Sequence, residues 1–357
     1  MDETVEVRQV KRVYYLDVLR VLACLSVVMI HTTGRYVEND IGSLNFWIGN
    51  VLDASARMGA PLFVMISGAL LLDQDYQYSA EKNRRHISRL IRFFVFWSSA
   101  YCVIFRILIP KFIDHQSLNY ENIIHYLITG HFHLWFIYML IGLYLVLPLL
   151  RLWVKEENVK WVRYFLILAF VFNFLLPQVS DIGAKFWAPM GYIREVCDSV
   201  NIRYVGGFMA YFVLGWYLKR YELKQKKMLY GLGTMCVLAE IVMTYVLSVH
   251  QGKPVQMYGN MQVNVLLQTA MWFVLVKACV EQGNKNVSSF VRLVSQYSLG
   301  IYALHAGLIN ILYRWLDHAG MNKAYLNIPV VFVCSFTGAL GLAVLLGKNR
   351  MTRNLVV

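Results

Sequence analysis

Apolar runs of roughly 20 residues, the length a helix needs to cross a bilayer core, recur along the whole chain, separated by short polar segments. Ten spans are predicted: 14–33, 56–74, 88–109, 131–150, 162–178, 203–219, 228–248, 262–281, 294–315 and 327–346. The first breaks the pattern, because YYLDVLRVLACLSVVMIHTTGR (Tyr14–Arg35) carries Asp17, Arg20 and His31 inside an apolar run. At about 100° per residue, Arg20 and His31 return to within roughly 20° of one face, and Asp17 to within roughly 40°. The three polar groups form one stripe along about 21 Å of helix. Ionisable groups at membrane depth are costly unless they face protein or water, so the stripe predicts a site or a polar packing seam between helices.

Composition sharpens this into a fold class. Of 357 residues 58% are hydrophobic and 15% charged, with a mean hydropathy of +0.48. A soluble domain carries about 25% charged residues. The chain is expected to be an all-α, polytopic membrane bundle of about ten transmembrane helices. Sorting lysines and arginines by the ten spans puts 23 on the N-terminal side and 10 on the other, with Arg20 inside a span. That asymmetry places both termini in the cytoplasm. It also accounts for the net charge of +13: basic loops face anionic lipid, and no nucleic-acid partner is needed. The expected organisation is a single integral membrane domain over 1–357, with cytoplasmic tails at 1–13 and 347–357. The longest loops (Thr33–Ser55, Pro110–Gly130 and Gln178–Asn201) fall outside the cytoplasm. Asp17 and Arg20 argue against a cleaved signal peptide. A five-plus-five inverted repeat would be the mark of a transporter, and the two halves share no matched motif.

Several residues within the spans are able to carry chemistry. His31 sits in the outward half of the first span, where imidazole is the natural base for a hydroxyl or, alternatively, a hydrogen-bonding tie between helices. Asp17 and Arg20 are spaced to pair at i,i+3, as support or as the lining of a polar path. Before the third span, EKNRRHISRLIRFF places Arg89 and Arg92 on one helix face, with Arg84 and Arg85 one turn upstream. Such a cluster holds phosphate well, yet on charge alone the ordinary positive-inside loop charge of a membrane protein is the stronger reading. His131 and His133 open the fourth span, followed by Trp135 and Tyr138; at i,i+2 on a helix the two histidines should point to different sides, against a shared metal. Tyr302 and His305 lie in the ninth span beside Gly300 and Gly307, and Glu240 is a lone carboxylate in the seventh. The six cysteines lie far apart, without zinc-site spacing, and are expected to be small core residues. Without a phosphate-cradling glycine loop or dinucleotide fingerprint, any group donor must be a soluble activated molecule or a lipid-linked one.

Four stretches together resemble the acyltransferase 3 family of bacterial membrane proteins, in its surface-polysaccharide O-acetyltransferase branch. They are LDVLRVLACLSVVMIHT, with ten residues between Arg20 and His31; APLFVMISGALLL; the Arg89-x-x-Arg92 pair leading into FFVFWSSAY; and HLWFIYMLIGLYLVLPLL together with YSLGIYALH. They run across nearly the whole chain in the family's order. The resemblance implies a bundle of about ten helices that moves an acyl group, usually acetyl, from cytoplasmic acyl-CoA to a hydroxyl of an extracytoplasmic glycan.

Carried over by position, His31 corresponds to the family's essential histidine, and Arg20 to the arginine before it, with Asp17 beside them in the catalytic set. Arg89 and Arg92 correspond to its arginine pair, which makes Arg84, Arg85, Arg89 and Arg92 the expected acyl-CoA site. His133, Trp135, Tyr138, Tyr302, His305 and Glu240 are the expected acceptor-binding residues. The chain departs from the pattern at Phe93–Phe96, where many members have a proline, and in carrying no fused esterase-like domain. The bundle is therefore expected to complete transfer alone or with a separate partner. The expected partners are the lipid bilayer, acyl-CoA (acetyl-CoA above all) as donor and a cell-surface glycan or lipid-linked saccharide as acceptor, with no metal and no nucleic acid. The expected location is the bacterial cell membrane. A homo-oligomer is compatible with the sequence. The competing class is a transporter of a small acid or lipid-linked saccharide, its path lined by Asp17, Arg20, His31 and Glu240.

Overall fold

A computed structural model describes residues 13–38, 40–115, 120–200, 202–282 and 288–357, leaving out the side chains of 120, 122 and 202–205. The expected N-terminal tail, apart from Val13, lies outside the described residues. Those described are helical, with no strand among them. The helices are α1 (Tyr14–Val37), α2 (Leu44–Ala56), α3 (Gly59–Leu71), α4 (Ala80–Phe112), α5 (Tyr120–Thr129), α6 (Trp135–Trp153) and α7 (Glu156–Gly183). They continue with α8 (Tyr192–Val200), α9 (Ile202–Arg220), α10 (Lys226–Gln251), α11 (Val263–Gln282), α12 (Ser289–Gln296), α13 (Ser298–His318) and α14 (Ala324–Lys348).

Among the described residues, eight helical stretches are long and apolar enough to cross a membrane: α1, α2–α3 together, α4, Ile123–Trp153, α7, α10, α11 and α14. The two other positions expected to span are occupied by α9 and α13, which stand outside those eight. For α13 the reason is visible in its inward residues, since His305, Asn310 and Arg314 dilute an otherwise apolar helix.

The loops are more structured than the periodicity suggests. The expected loop Thr33–Ser55 contains the last turn of α1 and nearly all of α2, started by the Ser43 hydroxyl accepting the Phe46 amide at 3.1 Å. The loops Pro110–Gly130 and Gln178–Asn201 likewise contain α5 and α8. A polar face in a short helix reads as loop, because the apolar half of its pattern is only visible against a neighbour.

α1 is the hub of the bundle. It packs against α2, α3, α11, α12, α13 and α14, which is why it tolerates charged groups at membrane depth: they face protein. α3 and α9 approach backbone to backbone through Gly68 and Gly215. A Cβ on Gly68 would stand 1.8 Å from the Phe212 carbonyl oxygen, and one on Gly215 2.0 Å from that of Met65, the small-residue packing usual between membrane helices.

At the end expected to be cytoplasmic, Arg151 of α6 donates to the carbonyls of Leu71, Asp73 (2.8 Å) and Tyr76 (3.3 Å), while Lys219 of α9 pairs with the Asp73 carboxylate. Burial works against ionisation of Asp73, but the Lys219 ammonium and the Asp75 amide hold its carboxyl below the usual carboxylate range. The last residues fold back onto the bundle. Val356 is buried and its carbonyl accepts the Gly300 amide at 3.0 Å, while the Leu355 carbonyl accepts the Trp97 indole at 3.1 Å.

Candidate functional site

The site is assembled by four pieces of chain that meet in the half of the bundle expected to face outward. α1 supplies His31. The turn between α2 and α3 supplies Arg57, held by the Asp53 carboxylate one helical turn back and lying 4.4 Å from the centroid of the Tyr258 ring. The segment leading into α6 supplies His131 and His133, and α13 supplies Tyr302 and His305.

Four imidazoles cluster here. His31 stacks on His305 with ring centroids 5.1 Å apart, and His305 lies 5.4 Å from His133. The Nδ1 atoms of His131 and His133 are 2.8 Å apart. The expectation that His131 and His133 diverge is therefore wrong. They are not yet on a helix: Gly130 turns the chain with φ of +78°, His131 is extended, and Phe132–Leu134 form a single 3₁₀ turn before α6 begins. The αL region taken by Gly130 favours glycine, and a Cβ there would also stand 2.9 Å from the Phe94 ring.

Hydrogen bonds orient the rings. The Asn310 amide nitrogen stands 3.3 Å from His131 Nε2, which must accept, leaving the proton on His131 Nδ1 to bridge to His133. His305 Nδ1 is 3.0 Å from the Ile301 carbonyl, which can only accept; its Nε2 therefore carries a lone pair, and that atom is buried without a partner. Tyr302 donates its hydroxyl to the His133 carbonyl, and Tyr101 donates to the Ala303 carbonyl at 2.7 Å while accepting the Gly307 amide at 2.9 Å. Among the described residues no group of three or more histidine, cysteine or carboxylate side chains is arranged to hold a metal ion.

His31 forms part of the wall of two cavities. The inner one, about 110 Å³, is also lined by Arg57, His133, Trp135, Asn260 and Tyr302. The outer one, about 500 Å³, is lined by His131, Asn310, Tyr126 and the arginines 35, 106 and 314. Below the inner cavity a gap between Cys24, Val27, Phe63, Tyr302 and His305 runs down the polar stripe of α1, with no room for a water molecule.

Nearer the opposite end, Asp17 and Arg20 pair as their spacing predicts, at 3.3 Å, and the Ser295 hydroxyl donates to Asp17 at 2.5 Å. Tyr144 lies within electrostatic reach of both Arg20 and Arg89. Arg89 is half-buried, donates to the Val357 carbonyl at 3.2 Å and has an Nε with no partner, whereas Arg84 and Arg92 are exposed and Arg85 pairs with Glu81 on the surface.

Of the expected acceptor residues, His133, Trp135, Tyr302 and His305 lie in the cluster or line its cavities. Tyr138 does not: its ring packs 4.4 Å from that of Phe94 and its hydroxyl is bound to the Ile128 carbonyl. Glu240 does not line the cavities: it is buried behind Arg57 and Asp53, within electrostatic reach of both, accepting from the Asn264 amide, which in turn accepts from Gln178 at 3.0 Å. The six cysteines are free; Cys24, Cys102 and Cys197 are buried, and Cys279 and Cys334 are exposed on the helix surface.

Residues 13–348 match the model of a family described as an acyltransferase domain. No curated protein and no solved structure matches the chain. The match takes in α1 through α14, and with them His31 and the other three imidazoles, so this multi-pass membrane protein belongs to the acyltransferase 3 family.

Proposed function

We propose that the protein transfers an acyl group, acetyl in the first instance, from cytoplasmic acyl-CoA to a hydroxyl of an extracytoplasmic glycan, in a bacterial cell membrane with both chain termini cytoplasmic. The observation that carries this reading is the position of His31 between two cavities, eleven residues along α1 from Arg20. That separation is about 16 Å of helix, a length an extended pantetheine arm covers. Arg89, with Arg92 and Arg20, would hold the phosphates of coenzyme A while the thioester rises along the α1 stripe to the inner cavity, a passage that requires the closed gap between Cys24, Phe63 and Tyr302 to widen when the donor binds.

In a direct transfer, His31 takes the proton of the acceptor hydroxyl as its oxygen attacks the thioester carbonyl. The negative charge passes to the carbonyl oxygen, for which Arg57 and Asn260 of the cavity wall would supply hydrogen-bond donors. The carbon–sulfur bond then breaks, and the thiolate leaves with the proton from His31. In the two-step variant the imidazole itself takes the acyl group and passes it to the hydroxyl. His305, whose Nδ1 is anchored on α13, fixes the His31 ring by stacking. Arg85, paired on the surface, and Arg84 contribute charge at the cytoplasmic mouth.

Mass spectrometry of surface glycans from cells carrying wild-type or His31→Ala protein at equal membrane abundance tests the reading. Loss of one acyl modification in the variant is expected; an unchanged glycan would sink it. A transporter would leave the thioester of acyl-CoA intact under all conditions.

A further inference from the structure

The outer cavity has an apolar neighbour that the transfer scheme does not use. Between α4, α13 and α14 lies a groove of about 210 Å³ whose walls include Tyr101, Ile104, Phe105, Leu308, Ile311 and Leu342. Its one hydroxyl, on Tyr101, is turned away into the α13 backbone. Ile104, Ile311 and Leu342 at its edge are exposed on the helix surface, which at this depth means exposed to lipid chains. Phe105 belongs to both spaces, forming part of the groove and part of the polar cavity that contains His31 and His131.

The next residue, Arg106, stands at the same junction on the cavity side. Both lie within a π-helical stretch, Val103–Leu108, near the C-terminal end of α4; such wide turns shift side chains relative to a regular α-helix and are frequent at functional sites. The other two arginines of the cavity are neutralised, Arg35 by Asp317 at 2.9 Å and Arg314 by Asp114. Arg106 lies 4.2 Å from the centroid of the Tyr126 ring and makes no ion pair among the described residues, the Asp317 carboxylate of the same cavity wall being paired with Arg35. In order from the bilayer inward, the protein thus presents a hydrocarbon groove, a cation lacking an anion, and a polar chamber ending at His31.

That sequence of surfaces matches one kind of molecule: a hydrocarbon chain, then a phosphate, then a hydroxyl-bearing head. We propose that the acceptor is a lipid-linked saccharide that reaches His31 sideways from the membrane, its chain in the α4–α13–α14 groove, its phosphate on Arg106 and its sugar in the outer cavity. The cavity favours a saccharide over a glycerophospholipid. Its volume of about 500 Å³ lies within the range of pockets that enclose drug-sized ligands, roughly 300–1,000 Å³, and a glycerol head would leave most of it empty. This inference rests on the acyltransferase reading, since it names the acceptor for that same site.

The test is binding of a short isoprenyl-diphosphate-linked N-acetylglucosamine to the purified full-length protein in phosphatidylcholine nanodiscs, read by native mass spectrometry. Arg106→Gln, which removes the charge, and Ile311→Trp, which fills the groove from its lipid-exposed side, are each expected to weaken binding by about tenfold, the loss of one charge-assisted contact or of the chain's seat. Melting temperatures of the two variants separate this from misfolding, and Ile311 is exposed enough for its substitution to spare the core. N-acetylglucosamine 1-phosphate, which lacks the chain, should bind at least about tenfold more weakly than the lipid-linked probe. Equal binding of the tailless sugar phosphate, or unchanged binding in both variants, would overturn the lateral route. Binding of phosphatidylglycerol as tight as the probe's would overturn the saccharide head. No donor is present in this measurement, so it fails separately from the acyltransferase reading. That reading fails instead if the wild-type protein does not consume acetyl-CoA.

Discussion

His31 and His305 stack with ring centroids 5.1 Å apart, although one lies in the first helix and the other near the end of the chain. His305 is anchored through Nδ1 to the Ile301 carbonyl and exposes no ring atom to solvent, so in the proposed transfer its part would be to position His31. His305→Ala is expected to lower kcat for acyl transfer by about 10- to 100-fold, the range for a lost orienting contact, with KM for acyl-CoA little changed. His305→Gln, which keeps a donor near the Ile301 carbonyl, should recover part of the loss. Steady-state kinetics on both variants separates this positioning role from a packing role, which would reduce the amount of folded protein and leave kcat per folded molecule intact.

Arg89 and Arg92 share a helix but not an environment. Arg89 is half-buried, close to Tyr144, and has an unused Nε, while Arg92 is exposed. Arg89→Gln is expected to raise the KM for acyl-CoA by about tenfold or more, the usual cost of one charge-assisted contact. Arg92→Gln should have a smaller effect, as should Arg85→Gln, whose arginine already pairs with Glu81. Initial-rate measurements against acyl-CoA concentration check the order. Equal effects at all three positions would indicate general attraction by basic charge.

Arg57 lines the inner cavity while paired with Asp53 and packed on the Tyr258 ring. Arg57→Lys keeps the charge but not the fork that meets both a carboxylate and an oxyanion. It is expected to reduce kcat by about 10²-fold, in the range for removal of an oxyanion donor, with donor KM unchanged. A rise in KM alone would assign Arg57 to binding.

Asp73 makes a stability prediction with a defined pH sign. Its carboxyl sits below the usual carboxylate range in the folded protein, chiefly through Lys219 against the opposing effect of burial. The pair therefore contributes stability above the unfolded-state pKa of about 3.9, and that contribution is lost as pH falls through the folded value. Asp73→Asn should lower the melting temperature at pH 7, with the gap from wild type closing below about pH 4. Scanning fluorimetry in detergent across acidic to neutral pH measures it. A gap that stays constant with pH would mean that the substitution disturbs packing instead.

Much of this architecture is legible in the sequence, and the unread parts share a cause. Hydropathy finds the apolar helices because a bilayer imposes one length and one composition on them. The stripe of Asp17, Arg20 and His31 is readable because 3.6-residue periodicity fixes which groups share a face, and the Asp17–Arg20 pair forms as its spacing requires. The same periodicity misplaces His131 and His133, because they precede the helix and Gly130 and a 3₁₀ turn set their directions. The glycine before the pair is the available signal. α2 escapes the hydropathy pattern because a short helix with polar positions resembles a loop until its partner is known. Arg57 and Arg106 cannot be singled out from sequence: one depends on the kink between α2 and α3, the other on a π-helical stretch, and neither has a sequence period. The ring contacts that hold them, with Tyr258 and Tyr126, are set by tertiary structure.

In the proposed transfer, His31 performs the chemistry between the two cavities. The most direct measurement is release of coenzyme A thiol from acetyl-CoA by purified wild-type and His31→Ala protein in vesicles carrying an acceptor glycan, with acyl-CoA binding followed on the same samples. Thiol release is expected to fall by at least about 10³-fold, as for loss of a base or nucleophile, while acyl-CoA binding is retained. Thiol release by His31→Ala at the wild-type rate would contradict this role for His31.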